Sequence, residues 1–139
     1  RQFSNPIQIA LHEADLDLWK NGGGSKDFSF DFETGEDPNL ILSEDQALRL
    51  GDTLIEVIHT PGHTRGHVTY HLPQYQMAFC GDLIFFHGVG RADLAISNEQ
   101  ALYLSIREKI LTLPDETILY PGHGPATSVA EEKNNNPFL

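Results

Sequence analysis

The sequence has little cysteine, little positive charge and no long hydrophobic segment. Its one cysteine, Cys80, excludes an internal disulfide, which fits a reducing compartment, and we expect a cytoplasmic protein. Nine Lys and Arg residues against twenty Asp and Glu residues give a net charge of −11, so no basic surface is available for nucleic acid or an anionic membrane. No apolar segment approaches the roughly 18 residues that span a bilayer. We therefore expect neither a nucleic-acid partner nor a membrane partner.

The N-terminus lacks the features of a targeting segment. Residues Arg1 to Pro6 match neither a signal peptide nor a lipidation site, and the absence of an initial Met suggests that the chain begins inside a longer one. A length of 139 residues suits one domain with a modest core, and 40% hydrophobic residues indicate a globular protein. We expect one domain over residues 1–139.

Strand patterns dominate the middle of the chain. Short apolar segments rich in β-branched residues predict strands over Leu54–His59, Val68–Leu72, Met77–Cys80 and Thr117–Tyr120. Their spacing and the turn at Pro73–Gln76 favour an antiparallel meander. Ser97 and Gln100 have the form of a capping box, which predicts a helix with Ser97 as its N-cap. These elements predict an α/β layered fold with a mixed or antiparallel sheet.

Three residues that could bind a metal follow short strands and a glycine. His63 comes after a Pro-Gly turn, Asp82 follows Gly81, and His123 follows Gly122. Imidazole and carboxylate groups together suit zinc, iron or manganese, and strand-end loops can converge on one side of a sheet. Alternatively, the three are turn residues that cap backbone groups. The spacing alone leaves both interpretations open.

Four motifs lie in one order along the chain: Thr60–His67, Cys80–Asp82, Gly90–Asp93 and Tyr120–Pro125. With the C-terminal segment Glu131–Leu139, they resemble the second half of a metallo-β-lactamase-superfamily hydrolase. The resemblance is to the small glyoxalase II-like (hydroxyacylglutathione hydrolase-like) branch. It covers essentially the whole chain and implies the C-terminal portion of an αββα sandwich.

The resemblance implies a role for each site residue. His63 would bind a first metal, His123 a second, and Asp82 would bridge both and take part in catalysis. Two zinc ions would complete the site, with iron or manganese possible, and a metal-bound hydroxide would attack an acyl thioester of small size. Arg91 would contact a carboxylate of the substrate; an internal Arg91–Asp93 ion pair that holds the loop is the alternative.

The first metal motif of the family, H-x-H-x-D-H, does not occur in these 139 residues. We expect it to precede residue 1, so that the chain is a partial domain and is inactive by itself. His12 is expected to begin a helix rather than to bind metal. Loss of a covering layer would expose apolar surface, from which we expect a homodimer or other association.

Two alternative functions remain open. A persulfide dioxygenase would share the fold and use one iron at His63 and Asp82, whereas a catalytically incompetent remnant would bind a metal or a partner. Among the other candidates, His67 is expected to order its loop by hydrogen bonding. Cys80 is expected to be a small buried hydrophobic residue rather than a nucleophile.

Overall fold

The computed structural model of the protein describes residues 7–23, 25, 32 and 34–139. The chain forms two compact units, Arg1–Leu42 and Ser43–Leu139. The expectation of a single domain over residues 1–139 stays a prediction. Within the described ranges, no helix has the length and apolar character that crossing a membrane requires.

The fold consists of ten strands and three short α-helices among the described residues. The strands are β1 (Ala10–His12), β2 (Leu40–Leu42), β3 (Ala47–Leu50), β4 (Thr53–His59), β5 (Val68–Leu72), β6 (Met77–Gly81), β7 (Ile84–Phe85), β8 (Gly88–Val89), β9 (Ile118–Pro121) and β10 (Thr127–Ser128). The helices are α1 (Leu16–Lys20), α2 (Glu99–Ser105) and α3 (Val129–Asn135), and a π-helical segment, Ile106–Ile110, continues α2.

The first unit contains a parallel pair of strands, β1 and β2, with Ala10 opposite Leu40. A short 3-10 turn and α1 follow β1. The imidazole Nδ1 of His12 accepts a hydrogen bond from the amide of Ala14 at 3.2 Å and so caps this turn. His12 therefore begins a helical segment, as the sequence predicts.

The second unit is built on a six-stranded sheet with the order β10-β9-β6-β5-β4-β3. Strands β3 to β6 form the predicted antiparallel meander, whose first turn contains Gly51 with a φ of +60°. Strand β9 then pairs with β6 in parallel. A parallel neighbour requires a crossover, and α2 with its π-helical extension supplies it. The sheet is therefore mixed, and the α/β layered class is confirmed.

One face of this sheet packs against the helices. Ala78 on β6 and Leu119 on β9 are neighbours in the sheet and are both fully buried. They belong to one hydrophobic core with Cys80 on β6, with Leu83 and Ile84 at the start of β7, and with residues of the helical layer, namely Leu102, Ile106, Ile110 and Val129. Burial of these side chains is the main contribution to the stability of the unit.

The opposite face of β6 and β9 carries exposed apolar side chains. The ring of Phe79 stacks on that of Tyr120 with the centroids 5.3 Å apart. Phe79 is 46% exposed and Ile118 is 37% exposed. Apolar surface of this kind favours association, and the homodimer expected from the sequence stays a prediction.

Candidate metal centre

The sheet topology brings the three predicted ligand residues to one edge. Strand β4 runs antiparallel to β5, and β5 runs antiparallel to β6, so β4 and β6 point in the same direction. Strand β9 is parallel to β6. The carboxyl ends of β4, β6 and β9 therefore share one edge of the sheet, and His63, Asp82 and His123 follow these ends.

Asp82 lies between the two histidines. Its Oδ2 atom is 3.8 Å from Nε2 of His63, and its Oδ1 atom is 3.9 Å from Nε2 of His123. Each distance exceeds a hydrogen bond but lies within the span of two metal–ligand bonds of about 2.0–2.2 Å. The carboxylate thus presents a different oxygen to each imidazole, which is the arrangement of a bridging ligand.

The imidazole of His63 is held in the tautomer that a metal needs. Its Nδ1 lies 3.0 Å from the carbonyl oxygen of Arg91, and because a carbonyl can only accept, Nδ1 carries the proton and donates it. In the neutral imidazole, the Nε2 atom then presents a lone pair towards the carboxylate of Asp82. Two acceptors that face each other favour a cation between them, so the donor set fits a divalent metal ion.

The described residues supply only part of such a site. Among them, no group of three His, Cys, Asp or Glu side chains converges closely enough to hold one ion. Each candidate position therefore has one imidazole and one carboxylate oxygen. Zinc sites usually have three or four protein ligands, so further ligands are needed at both positions.

Glycines permit the close approach of the three loops. A Cβ atom on Gly122 would lie 2.1 Å from Oδ1 of Asp82. One on Gly62 would lie 2.4 Å from Cα of Leu102, and Gly62 also has a φ of +153°. Both contacts are far shorter than a carbon side chain tolerates, so the glycines that precede His123 and His63 are required by the geometry.

The loop that carries His63 is closed by its own ends. The amide of Thr60 donates to the carbonyl of His67 at 2.9 Å, and the Thr60 hydroxyl lies 2.9 Å from Nδ1 of His67. The expected hydrogen-bonding role of His67 is confirmed. The sequence did not predict its partner, because Thr60 is set opposite it only by the pairing of β4 with β5.

The same loop is also held by the helical layer through its carbonyl groups. Ser97 Oγ donates to His63, Ser105 Oγ to Pro61 and the Asn98 amide to Gly62, at 2.8, 2.7 and 2.8 Å. Lys109 Nζ donates to the carbonyl of His59 at 2.6 Å. These four supporting residues were missed by sequence reasoning, because nothing local to a helix indicates which distant carbonyl its side chains will meet.

The predicted N-cap of α2 is wrong by one residue. Asn98, not Ser97, accepts a hydrogen bond from the amide of Ala101, at 2.9 Å. The hydroxyl of Ser97 donates instead to the carbonyl of His63. A tertiary contact to the candidate site thus replaces the local capping that the sequence pattern predicts.

Arg91 and Asp93 form the ion pair that the sequence offered as one alternative. Nε and Nη2 of Arg91 donate to the two carboxylate oxygens of Asp93 at 2.8 and 3.0 Å. This hydrogen bonding lowers the pKa of Asp93 and raises that of Arg91. Both side chains line a cleft of about 320 Å³ together with residues of α2. A contact between Arg91 and a substrate stays a prediction.

Cys80 is fully buried beside the candidate site. Burial raises the pKa of its thiol to about 12. Its Sγ lies 3.4 Å from the carbonyl oxygen of Tyr120, to which it donates. Such a thiol is not a nucleophile near neutral pH, and the predicted packing role of Cys80 is confirmed.

Curated proteins similar to this chain include two hydrolases and a dioxygenase. The chain is 40% identical to the probable metallo-hydrolase YqgX of Bacillus subtilis over 76% of its own length and 50% of that protein. It is 41% identical to the hydroxyacylglutathione hydrolase GloC of Haemophilus influenzae over 69% of its own length and 45% of that protein. It is 36% identical to the human mitochondrial persulfide dioxygenase ETHE1 over 76% of its own length and 43% of that protein. The chain thus spans about half the length of these relatives.

Solved structures agree with the fold. The BLEG-1 B3 metallo-beta-lactamase superposes with a TM-score of 0.89 at 34% identity, covering 96% of this chain and 65% of that one. TTHA1623 in a di-iron-bound form gives a TM-score of 0.84 at 36% identity with the same coverages. The family model of the metallo-beta-lactamase superfamily matches residues 3–123. On its sequence, its sheet topology and these relatives, the chain belongs to the metallo-beta-lactamase superfamily.

Proposed function

We propose that the protein carrying this chain is a metal-dependent hydrolase that cleaves a small acyl thioester, such as a hydroxyacyl derivative of glutathione. One observation carries the proposal: the Nε2 atoms of His63 and His123 face the two different oxygens of Asp82, at 3.8 and 3.9 Å. This arrangement suits a carboxylate shared by two divalent cations. Zinc is the proposed metal, and iron and manganese are also bound by sites that combine imidazole and carboxylate.

Each residue has a defined task in this mechanism. His63 and His123 would hold one cation each, and Asp82 would hold the two at a fixed separation. Divalent cations held by these residues would supply a hydroxide nucleophile near neutral pH and would polarise the scissile carbonyl. The Arg91 carbonyl keeps Nδ1 of His63 protonated, so that Nε2 remains available as a ligand.

Two further features support a thioester substrate with a carboxylate. The relative GloC is named a hydroxyacylglutathione hydrolase. The guanidinium of Arg91 already binds one carboxylate, that of Asp93, with two hydrogen bonds, and it is 53% exposed. A substrate carboxylate could replace Asp93 in the same bidentate geometry.

A lone buried cysteine and the excess negative charge support a cytoplasmic location without nucleic-acid or membrane partners.

Replacement of Asp82 tests the proposal in the intact protein. Asp82→Asn removes the shared charge. We expect the rate of thioester hydrolysis, measured as release of the free thiol, to fall by roughly 100-fold or more, with loss of bound metal. Asp115→Asn is the control, because Asp115 pairs with Lys133 on the surface. Activity and metal content at the wild-type level in Asp82→Asn would disprove a shared-carboxylate mechanism.

A persulfide dioxygenase is the second candidate, supported by the 36% identity to ETHE1. That function requires one iron with His63 and Asp82 as ligands, and it leaves His123 dispensable for metal binding. Elemental analysis of the intact protein distinguishes the two. Two metal ions per chain with thiol release support the hydrolase; one iron with oxygen uptake in the presence of a persulfide supports the dioxygenase.

A third possibility is a catalytically incompetent fragment that binds a metal or a partner. It is favoured by the incomplete ligand set, because each candidate position has two ligands among the described residues. Zinc titration of the 139-residue chain compared with the intact protein tests it. Micromolar or weaker binding by the chain and tight binding by the intact protein would show that other residues complete the site.

A further inference from the structure

The two histidines of the candidate site are held in different ways. Nδ1 of His63 donates to a backbone carbonyl. His123 makes no such bond to any residue that the structure describes, and its side chain is 70% exposed. Histidine ligands usually donate the second ring N–H to a partner that fixes the ring. Another contact must therefore orient the imidazole of His123.

The contact in question is an aromatic ring. Phe85, the last residue of β7, stacks on His123 with the ring centroids 4.2 Å apart and an interplanar angle of 28°. A stacked ring of this kind restricts rotation of the imidazole about its outer side-chain torsion, and it leaves both ring nitrogens free. The Nε2 atom can then face Asp82 without help from a hydrogen bond.

Phe85 is itself held in place by the hairpin that it enters. Strands β7 and β8 pair with Phe85 opposite Gly88, and His87 in the turn has a left-handed φ of +56°. Such a conformation is unfavourable for a residue other than glycine, so the surrounding contacts must stabilise it.

The stabilising contacts come from the buried carboxylate of Glu132 on α3. It accepts hydrogen bonds from the backbone amide of His87 at 3.2 Å, from the Thr127 hydroxyl at 2.6 Å and from the side-chain amide of Asn136 at 2.7 Å. Glu132 is 0% exposed. Asn136 also donates to the carbonyl of Gly88, at 3.0 Å. Helix α3 thus fixes the hairpin from which Phe85 reaches His123.

We propose that Phe85 is the positioning residue for His123. Glu132 holds Phe85 in position by fixing the β7–β8 turn. Phe85 contacts the imidazole of His123 and would affect the metal site only through the orientation of that side chain. The inference rests on the proposed function, in which His123 binds the second metal. It adds an aromatic face as the device that aims this ligand at Asp82.

Nuclear magnetic resonance of the metal-free intact protein at fixed pH tests the positioning directly. We expect the ring protons of His123 to be shifted upfield by the Phe85 ring in wild type and to lose that shift in Phe85→Leu. Phe85→Tyr keeps the ring and should retain it. Phe86→Leu is the matched control, because Phe86 is adjacent and stacks on His87 instead, at 4.0 Å.

Several results would overturn the proposal. They are an unshifted His123 in wild type, an unchanged shift in Phe85→Leu, or an equal loss in Phe86→Leu, which would indicate collapse of the whole hairpin. If Phe85→Leu does not fold by circular dichroism, Phe85→Tyr decides by whether the shift persists.

Zinc titration provides the second measurement. We expect Phe85→Leu to weaken the weaker of two zinc-binding steps by about 10–100-fold, the usual effect of losing a contact that orients a metal ligand. Phe86→Leu and Phe85→Tyr should remain near wild type, and unchanged binding in Phe85→Leu would contradict the inference. If the wild-type protein binds neither zinc, iron nor manganese, the proposed function fails, whereas the His123 ring shift still decides whether Phe85 orients the imidazole.

Discussion

The side chain of His63 and the main chain of Arg91 are joined by a hydrogen bond of 3.0 Å between Nδ1 and the carbonyl oxygen. The side chain of Arg91 has no part in this hydrogen bond and pairs with Asp93 instead. The backbone of Arg91 therefore holds the candidate metal ligand, whereas its guanidinium is the group that the proposed function assigns to a substrate carboxylate in place of Asp93. A substitution at this position can separate the two roles.

Arg91→Ala should leave metal binding intact and weaken substrate binding. The backbone carbonyl that orients His63 is kept, so metal content should equal that of wild type. Loss of a bidentate contact to a substrate carboxylate should raise KM by roughly 10–100-fold with little change in kcat. Arg49→Ala, on the exposed strand β3, is the control. An unchanged KM would remove Arg91 from substrate recognition, and a loss of metal would show that its side chain also supports His63.

Gly62→Ala should destabilise the protein strongly. A methyl group there would lie 2.4 Å from Cα of Leu102, and the φ of +153° is unfavourable for alanine. We expect a loss of about 2–4 kcal/mol in the free energy of unfolding, measured by urea denaturation. Gly51→Ala is the control, because its φ is +60° with no atom within 4 Å of the added carbon, and it should cost only about 1–2 kcal/mol. Equal losses would show that contact with α2 does not restrict Gly62.

Replacement of Glu132 should destabilise the C-terminal layer. Glu132→Ala removes the acceptor of the hydrogen bonds from the His87 backbone amide and from the buried side chains of Thr127 and Asn136, and we expect a loss of roughly 3–5 kcal/mol. Glu132→Gln keeps one acceptor oxygen and the side-chain shape, so about 1–3 kcal/mol is expected. Thermal unfolding measures both. Glu131→Gln, at the neighbouring and more exposed position, should have a smaller effect than Glu132→Gln, and the reverse order would contradict the assigned network.

Cys80 should resist alkylation while the protein is folded. Its thiol is buried, and burial raises its pKa to about 12, so almost no thiolate exists at pH 8. We expect no incorporation of iodoacetamide under native conditions and one equivalent after denaturation in urea, detected by mass spectrometry. Rapid native labelling would mean that the sheet opens at β6 or that the thiol is accessible.

The place of the three candidate ligand residues was predictable because a local pattern marks each of them. A strand, a glycine and a residue of a type that can bind metal occur together at His63, Asp82 and His123, and strands of one direction end at one edge of a sheet. The strands of the meander were predicted for the same reason, since short apolar segments and the turn at Pro73–Gln76 are local features of the sequence. The structure adds the distances that join the three residues.

The supporting contacts were not predictable because they depend on packing between distant segments. Ser97 has the sequence of an N-cap, but its hydroxyl meets the carbonyl of His63, and Asn98 caps the helix instead. Phe85 is an apolar residue in an apolar segment, and nothing in its neighbours indicates a partner at His123. Glu132 would ordinarily be expected on the surface, and only the arrangement of α3 against the β7–β8 turn explains its burial.

The parallel pairing of β6 with β9 also has a consequence for the order of folding. The meander from β3 to β6 closes only short loops, whereas the β6–β9 register, with Met77 opposite Ile118, closes the long crossover through α2. Closing a longer loop has a larger entropic cost, so we expect the meander to form first. His123 then reaches Asp82 in one of the last steps of folding, and a nascent chain would bring these two candidate ligands together only when the crossover docks.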